Sequence, residues 1–159
     1  MGNAKGYYAF TLRNNQITRS IRTKIFVANG IILNPSRENP ENCGAKEYIG
    51  LWDTGATISA LSPRVVDELD LPTSSVKTAN TGGGPVLTTI HRVHFWLPNK
   101  VVVEKCLASR LEGLKHILNV DLLIGMDVMS RGDFAMSNSD GKTVVTFRIP
   151  SVEVTDYCL

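Results

Sequence analysis

Asp53 ends an apolar run, Tyr48-Ile49-Gly50-Leu51-Trp52, and is followed at once by Thr54-Gly55-Ala56-Thr57. The run reads as a buried strand, so the chain must place a carboxylate where a core strand stops. Such a placement is costly unless the carboxylate does chemistry. Gly55 lets the chain turn sharply behind it, with φ free to go positive. The Thr54 hydroxyl and the turn's own N–H groups are donors that can fix the carboxylate. Further along comes Asp121-Leu122-Leu123-Ile124-Gly125-Met126-Asp127, a second buried strand that stops at a glycine and runs into a short helix.

The rest of the chain alternates like a β protein. Tyr8, Phe10 and Leu12 mark one strand, and Ile21, Ile25 and Val27 mark another around Arg22-Thr23-Lys24, with Asn14-Asn15 as the turn signal between them. Residues 34–46 hold two prolines with Asn, Glu and Gly, and read as an exposed loop. Ser59 to Leu61 is a short strand. Ser62-Pro63 then supplies an N-cap and a first-turn proline for a helix from Pro63 to Leu69, with Val65, Val66 and Leu69 on one face and Asp67 and Glu68 toward solvent. Val76 to Ala79 and Val86 to Ile90 flank Thr81-Gly82-Gly83-Gly84-Pro85 as a β-hairpin. His91 to Leu97 and Lys100 to Ala108 follow as two more strands, turned by Pro98-Asn99. Leu111 to Leu118 is ambiguous, with a helical turn the nearest fit. Leu122 to Ile124 is a strand, Met126 to Ser130 a short helix, and Phe134 to Ser137 a strand. Asp140-Gly141 turns the chain into a final strand, Thr143 to Ile149. Many short strands with turn signals and brief helices predict a mainly β, barrel-like fold. There is no internal repeat and no low-complexity segment.

Composition narrows the class. A chain of 159 residues makes one domain, burying about 70% of its unfolded surface. The net charge of +2 is too small to imply nucleic acid, and the basic residues are scattered apart from Arg13, Arg19, Arg22 and Lys24, which suit a solvated strand face. No run approaches the ~18 apolar residues that span a bilayer, so no membrane partner is expected. The start has no signal-peptide core. Met1-Gly2 begins like a myristoylation site, but Gly6 stands where Ser or Thr is wanted. Cys43, Cys106 and Cys158 are odd in number and widely spaced, as free thiols in a reducing compartment would be. A cytoplasmic location is expected.

Two rival chemistries find little support. His91 and His94, with Cys106 after them, lie in a strand where residues three apart face opposite ways, so they do not make a metal site. His116 reads as a surface residue. Neither metal nor cofactor is expected. A phosphotransferase using Asp53 as nucleophile would need further acidic residues for Mg²⁺, and Trp52-Asp53-Thr54-Gly55-Ala56 offers none. The glycine-rich segment is no phosphate loop, lacking Gly-Lys-Ser/Thr and a following helix.

The apolar strand with Asp-Thr-Gly-Ala, the glycine-rich hairpin and the Leu-Ile-Gly strand together resemble the retropepsin family of aspartic proteases, from Tyr48 to about Pro150. The resemblance implies an acid-protease barrel, one lobe per chain, with one or two short helices. It divides the chain into a β extension and loop at 1–47 packed on the same domain, a retropepsin-like domain at 48–150, and a tail at 151–159. It implies an endopeptidase acting on a polypeptide substrate, in which two carboxylates share one proton and one acts as base on a water molecule. Only one Asp-Thr-Gly is present, so the resemblance implies a homodimer in which each subunit lends its Asp53 across a two-fold axis. Thr54 hydroxyls would then lock the two loops together and Gly55 carbonyls would hold the substrate backbone, with Ala56 completing the active-site loop. The hairpin, Ala79 to Thr88, would be a flap with Thr81, Gly82, Gly83 and Gly84 against the bound peptide. Gly125 and Asp127 would support the loop. Asp133 reads as a turn residue and Asp121 as exposed.

Viral members carry Asp where Thr57 stands and Arg where Met126 stands, and the two pair. Both are absent here, which avoids an unpaired charge. The alternative of another class is a catalytically silent retropepsin-like module that dimerises or binds peptides. The intact Asp-Thr-Gly argues against it.

Overall fold

The computed structural model describes residues 6–158; the Met1-Gly2 start lies outside them. Two compact units are distinguished, residues 20–128 and, separately, the flanking residues up to 19 and from 129 onward.

In the larger unit, β2 (Arg22–Asn29), β3 (Lys46–Trp52), β8 (Leu122–Ile124), β4 (Ala60–Leu61), β7 (Val101–Arg110) and β6 (Gly84–Leu97) follow one another, and β6 pairs back onto β2. The ring of six strands is a closed barrel, and closure removes the open edges that a flat sheet exposes. Alternation explains the inward faces. On β2, Thr23, Ile25 and Val27 are buried while Arg22 and Lys24 are exposed. Phe95, Val101, Val103, Leu122 and Ile124 fill the interior beside them. Gly50 of β3 lies tightly in this packing: a β-carbon there would sit 2.6 Å from Ile25 Cδ1, whose side-chain end would have to shift. Barrel closure thus brings core side chains hard against the strand that carries Asp53.

Among the described residues three short α-helices interrupt the strands, α1 (Pro63–Glu68), α2 (Leu114–Leu118) and α3 (Met126–Met129), besides two 3₁₀ turns at Pro40–Cys43 and Pro98–Lys100. Pro63 enters α1 at its first turn, where its missing N–H costs nothing. Among the described residues no helix is long and apolar enough to cross a membrane.

One difference from the sequence expectation lies in β6. The segments Val86–Ile90 and His91–Leu97 form a single strand of 14 residues, paired with β5 (Thr73–Thr81) at its start and with β2 and β7 toward its end. A register shift between Val93 and Phe95 marks a bulge. There the buried His94 accepts from Lys105 N–H at 3.1 Å through Nδ1, while Nε2 meets Ile32 O at 2.9 Å. His91 is also buried, with Nδ1 3.2 Å from Leu71 O and Nε2 2.8 Å from Thr89 Oγ1. Both imidazoles serve as hydrogen-bonded core groups. Among the described residues no cluster of His, Cys, Asp or Glu forms a candidate metal site.

The smaller unit is a three-stranded sheet in the order β1 (Tyr8–Asn14), β10 (Lys142–Ile149), β9 (Asp133–Ser139). Thr143, Val145 and Phe147 of β10 are buried, with Phe10 and Phe147 rings 6.0 Å apart. Asp140 and Gly141, both at positive φ, turn β9 into β10. Asp133 is not the turn residue expected from sequence. It opens β9 and is tied to Arg148 Nε at 2.6 Å, to Val152 N–H at 2.9 Å and to the Ser151 hydroxyl. These donors hold its carboxyl well below the ordinary carboxylate range.

Candidate active site

Asp53 follows the last residue of β3, and its position is set by the β3–β8 ladder. The two strands run parallel, Gly50 opposite Leu122 and Trp52 opposite Ile124, and the Asp53 N–H donates to Ile124 O at 2.9 Å. The chain then turns tightly. Ala56 N–H donates to Asp53 O at 3.2 Å, and Gly55 N–H donates to Asp53 Oδ1 at 2.8 Å. The carboxylate is therefore oriented by its own turn while remaining partly exposed.

Gly55 does not use a positive φ, contrary to the expectation from its sequence. A β-carbon there would stand 3.1 Å from Asp53 Oδ1 and would press on the carboxylate. Thr54 is exposed.

The loop is stitched to the strand–glycine–helix turn that ends β8. Met126 N–H donates to Ala56 O at 2.8 Å and Asp127 N–H to Thr57 O at 3.2 Å. Ser59, fully buried, joins the same two segments through its side chain. Its hydroxyl donates to Asp127 Oδ1 at 2.8 Å and accepts from Gly125 N–H at 3.1 Å. Gly125 permits this approach, for a β-carbon there would lie 2.8 Å from both Ala56 O and Ile58 C. The structure thus brings Asp53, Ala56, Gly125 and Asp127 into one bonded assembly. Ser59 belongs to it and was missed in the sequence, where a lone serine after an apolar position carries no signal.

The glycine-tipped hairpin is formed by β5 and β6, with Thr81 opposite Gly84. Thr81 Oγ1 donates to Gly84 O at 2.8 Å and accepts from Gly83 N–H at 3.3 Å, which closes the tip. Its inner face lines a cavity of about 720 Å³, together with Leu111 and residues of α2 and with Leu123 of β8. Asp53 itself does not line this cavity. The link is Leu123, the neighbour of the Ile124 that receives the Asp53 N–H.

A correction concerns Asp121. It is buried rather than exposed, with Arg64 Nη1 at 3.4 Å, Lys115 Nζ at 3.3 Å and the Ile49 N–H at 3.2 Å. Beside it, Tyr48 Oη donates to Glu68 Oε2 at 3.0 Å, and burial together with that bond pushes the phenol up.

A six-stranded barrel with an aspartate turn bonded to a strand–glycine–helix turn defines a single retropepsin-like lobe. Residues 44–131, more than half of the chain, match the family described as "gag-polyprotein putative aspartyl protease", and the chain belongs to that family. Among solved structures, a retropepsin-like aspartic protease from Rickettsia conorii is similar, with a TM-score of 0.53 over 89% of this chain and 94% of that one. Its sequence identity is 12%, so the likeness speaks for the fold alone. No curated protein sequence matches the chain.

Proposed function

We propose that this chain is an aspartic endopeptidase whose dyad consists of Asp53 and Asp53 of the partner subunit in a homodimer. One observation carries the reading: the Asp53 carboxylate is partly exposed, yet oriented by the Gly55 N–H and by a loop bonded to the Gly125–Asp127 turn. Such a group is positioned for proton transfer without being sealed from water. In the dyad one carboxylate takes a proton from water while the other, protonated, donates to the carbonyl of the scissile bond. Two adjacent like charges keep that proton shared.

Asp127 is a weaker candidate for the second carboxylate, because its Oδ1 already accepts from Ser59. A second copy is the simpler source, and the exposed Thr54 hydroxyl is available to bond across a two-fold axis. The hairpin would act as a flap, its glycines allowing close approach to a peptide backbone. The three free cysteines suit a reducing, cytoplasmic setting.

The test is digestion of a diverse peptide library by wild-type protein and by Asp53→Asn, with and without pepstatin. Wild-type cleavage that pepstatin blocks and Asp53→Asn abolishes is expected. Full activity in Asp53→Asn would refute the assignment. Peptide binding with no cleavage by the wild type would favour a silent binding module.

A further inference from the structure

The Asp121 carboxylate, its side chain 4% exposed, meets donors from three elements. Ile49 N–H of β3 donates to Oδ2 at 3.2 Å, while Arg64 of α1 and Lys115 of α2 both reach Oδ1. Its backbone is engaged as well: Asp121 N–H donates to Ile49 O at 2.8 Å, and Ser62 N–H donates to Asp121 O at 2.8 Å. The residue therefore extends the β3–β8 ladder by one rung on the strand that delivers Asp53. It also holds two helices through one oxygen.

The two helices differ in what they face. No residue of α1 lines the cavity under the hairpin, whereas Leu114, Ile117 and Leu118 of α2 form one of its walls. α2 has only five residues and is bounded by left-handed backbone at Gly113 (φ 82°) and Asn119 (φ 51°). A helix so short has little stability of its own, so its position depends on what tethers it. Leu114 is buried below it, while Ile117 is 80% exposed. An ion pair between two solvated side chains would hold α2 only weakly. Here the acidic partner is already out of water, which strengthens its attraction to Lys115.

We propose that Asp121 is a positioning residue for peptide recognition: through Lys115 it sets where the α2 wall stands over the cavity, relative to the strand that carries Asp53. This rests on the endopeptidase reading above. The substrate group affected is a side chain large and apolar enough to reach α2, and the chemical step is left untouched.

Lys115→Met and Arg64→Met each remove one cation from the same carboxylate and keep a methylene stem. Steady-state kinetics on two peptides, differing only by Phe or Ala beside the cleaved bond, separates their effects. Lys115→Met is expected to raise KM for the Phe peptide roughly five- to tenfold, the scale of a misfitted apolar contact. Its kcat should stay within about twofold, and the Ala peptide should be unaffected. Arg64→Met is expected to lower Tm and leave both KM values unchanged. Asp121→Asn keeps an acceptor for Ile49 N–H and should reproduce the KM effect of Lys115→Met, with no further rise in the double variant.

A readout without substrate is amide hydrogen exchange at Ile117 and Asn119, whose N–H groups bond Gly113 O and Lys115 O. Exchange there should quicken in Lys115→Met and not in Arg64→Met. Equal effects of the two variants on KM, or faster exchange with unchanged KM, would overturn the proposal. Failure of the endopeptidase reading is recognised separately, by hydrolysis that survives Asp53→Asn. The exchange measurement then stands alone as the test of the tether.

Discussion

Ser59 and Gly125 show how little chemistry is needed to hold a carboxylate in place. Ser59 is a single hydroxyl that serves Asp127 and the Gly125 N–H at once. Ser59→Ala takes one donor from Asp127 and leaves the buried Gly125 N–H without its acceptor, and is expected to cost about 1–3 kcal/mol, read by thermal or denaturant unfolding. Gly125→Ala should be worse for activity than for stability. Its β-carbon would press on the backbone at Ala56 and Ile58, neither of which can swing aside as a side chain can. The loop carrying Asp53 must then shift, so hydrolysis should fall by more than the loss in Tm accounts for. Gly83→Ala is the matched control. The nearest atom there is 3.7 Å away, so an unchanged Tm is expected, the variant serving as a control for stability alone.

At this scale the sequence was readable where a residue type breaks a pattern, as Asp53 does after an apolar strand. Ser59 breaks nothing. Asp121 was misread because the exposed cations that reach its buried carboxylate, Arg64 and Lys115, come from elements that a linear reading does not bring together.

Among the elements, β9 and β10 give the clearest dependence on pH. Asp133 is held ionised, first by the Ser151 hydroxyl, then by the Val152 N–H and Arg148. Its folded pKa lies below the ordinary 3.8, so the unfolded chain binds the proton more readily. The stabilisation is thus fully present above pH 3.8 and is lost as pH falls through the lower, folded value. Thermal melts of wild type and Asp133→Asn between pH 7 and pH 2.5 should converge on acidification, wild type being the more stable at neutral pH. Parallel curves would mean that the cluster contributes nothing.

Most strands were visible as alternation, and the Pro98-Asn99 turn and the Gly-rich hairpin as punctuation. The fusion of two expected strands into β6 was not, because its second half is buried on both faces and bulged at His94, which erases the period of two. The pairing of β1 with β10 was equally hidden, since no local signal joins Phe10 to Phe147.

For the whole molecule, the endopeptidase proposed above holds a single Asp-Thr-Gly, which on that reading makes activity a property of pairs. When Asp53→Asn subunits are mixed into wild-type protein with free exchange, homodimers of wild type fall as the square of the wild-type fraction. Hydrolysis should follow that square, and specific activity should drop on dilution below the dimer dissociation constant. A linear fall with a monomeric mass at assay concentration would mean that one subunit suffices, and Asp127 would become the carboxylate to examine.

The parallel pairing of β3 with β8 has a consequence for the order of events in folding. Ile49 and Asp121, which exchange hydrogen bonds at the foot of that ladder, are 72 residues apart. Contacts of such separation close late, after nearer ones have shortened the loop between them. On a ribosome Asp53 emerges early but has no Ile124 to receive its N–H until nearly the whole barrel has followed. The carboxylate is thus made long before it is aimed, and a nascent chain carries the residue without the site.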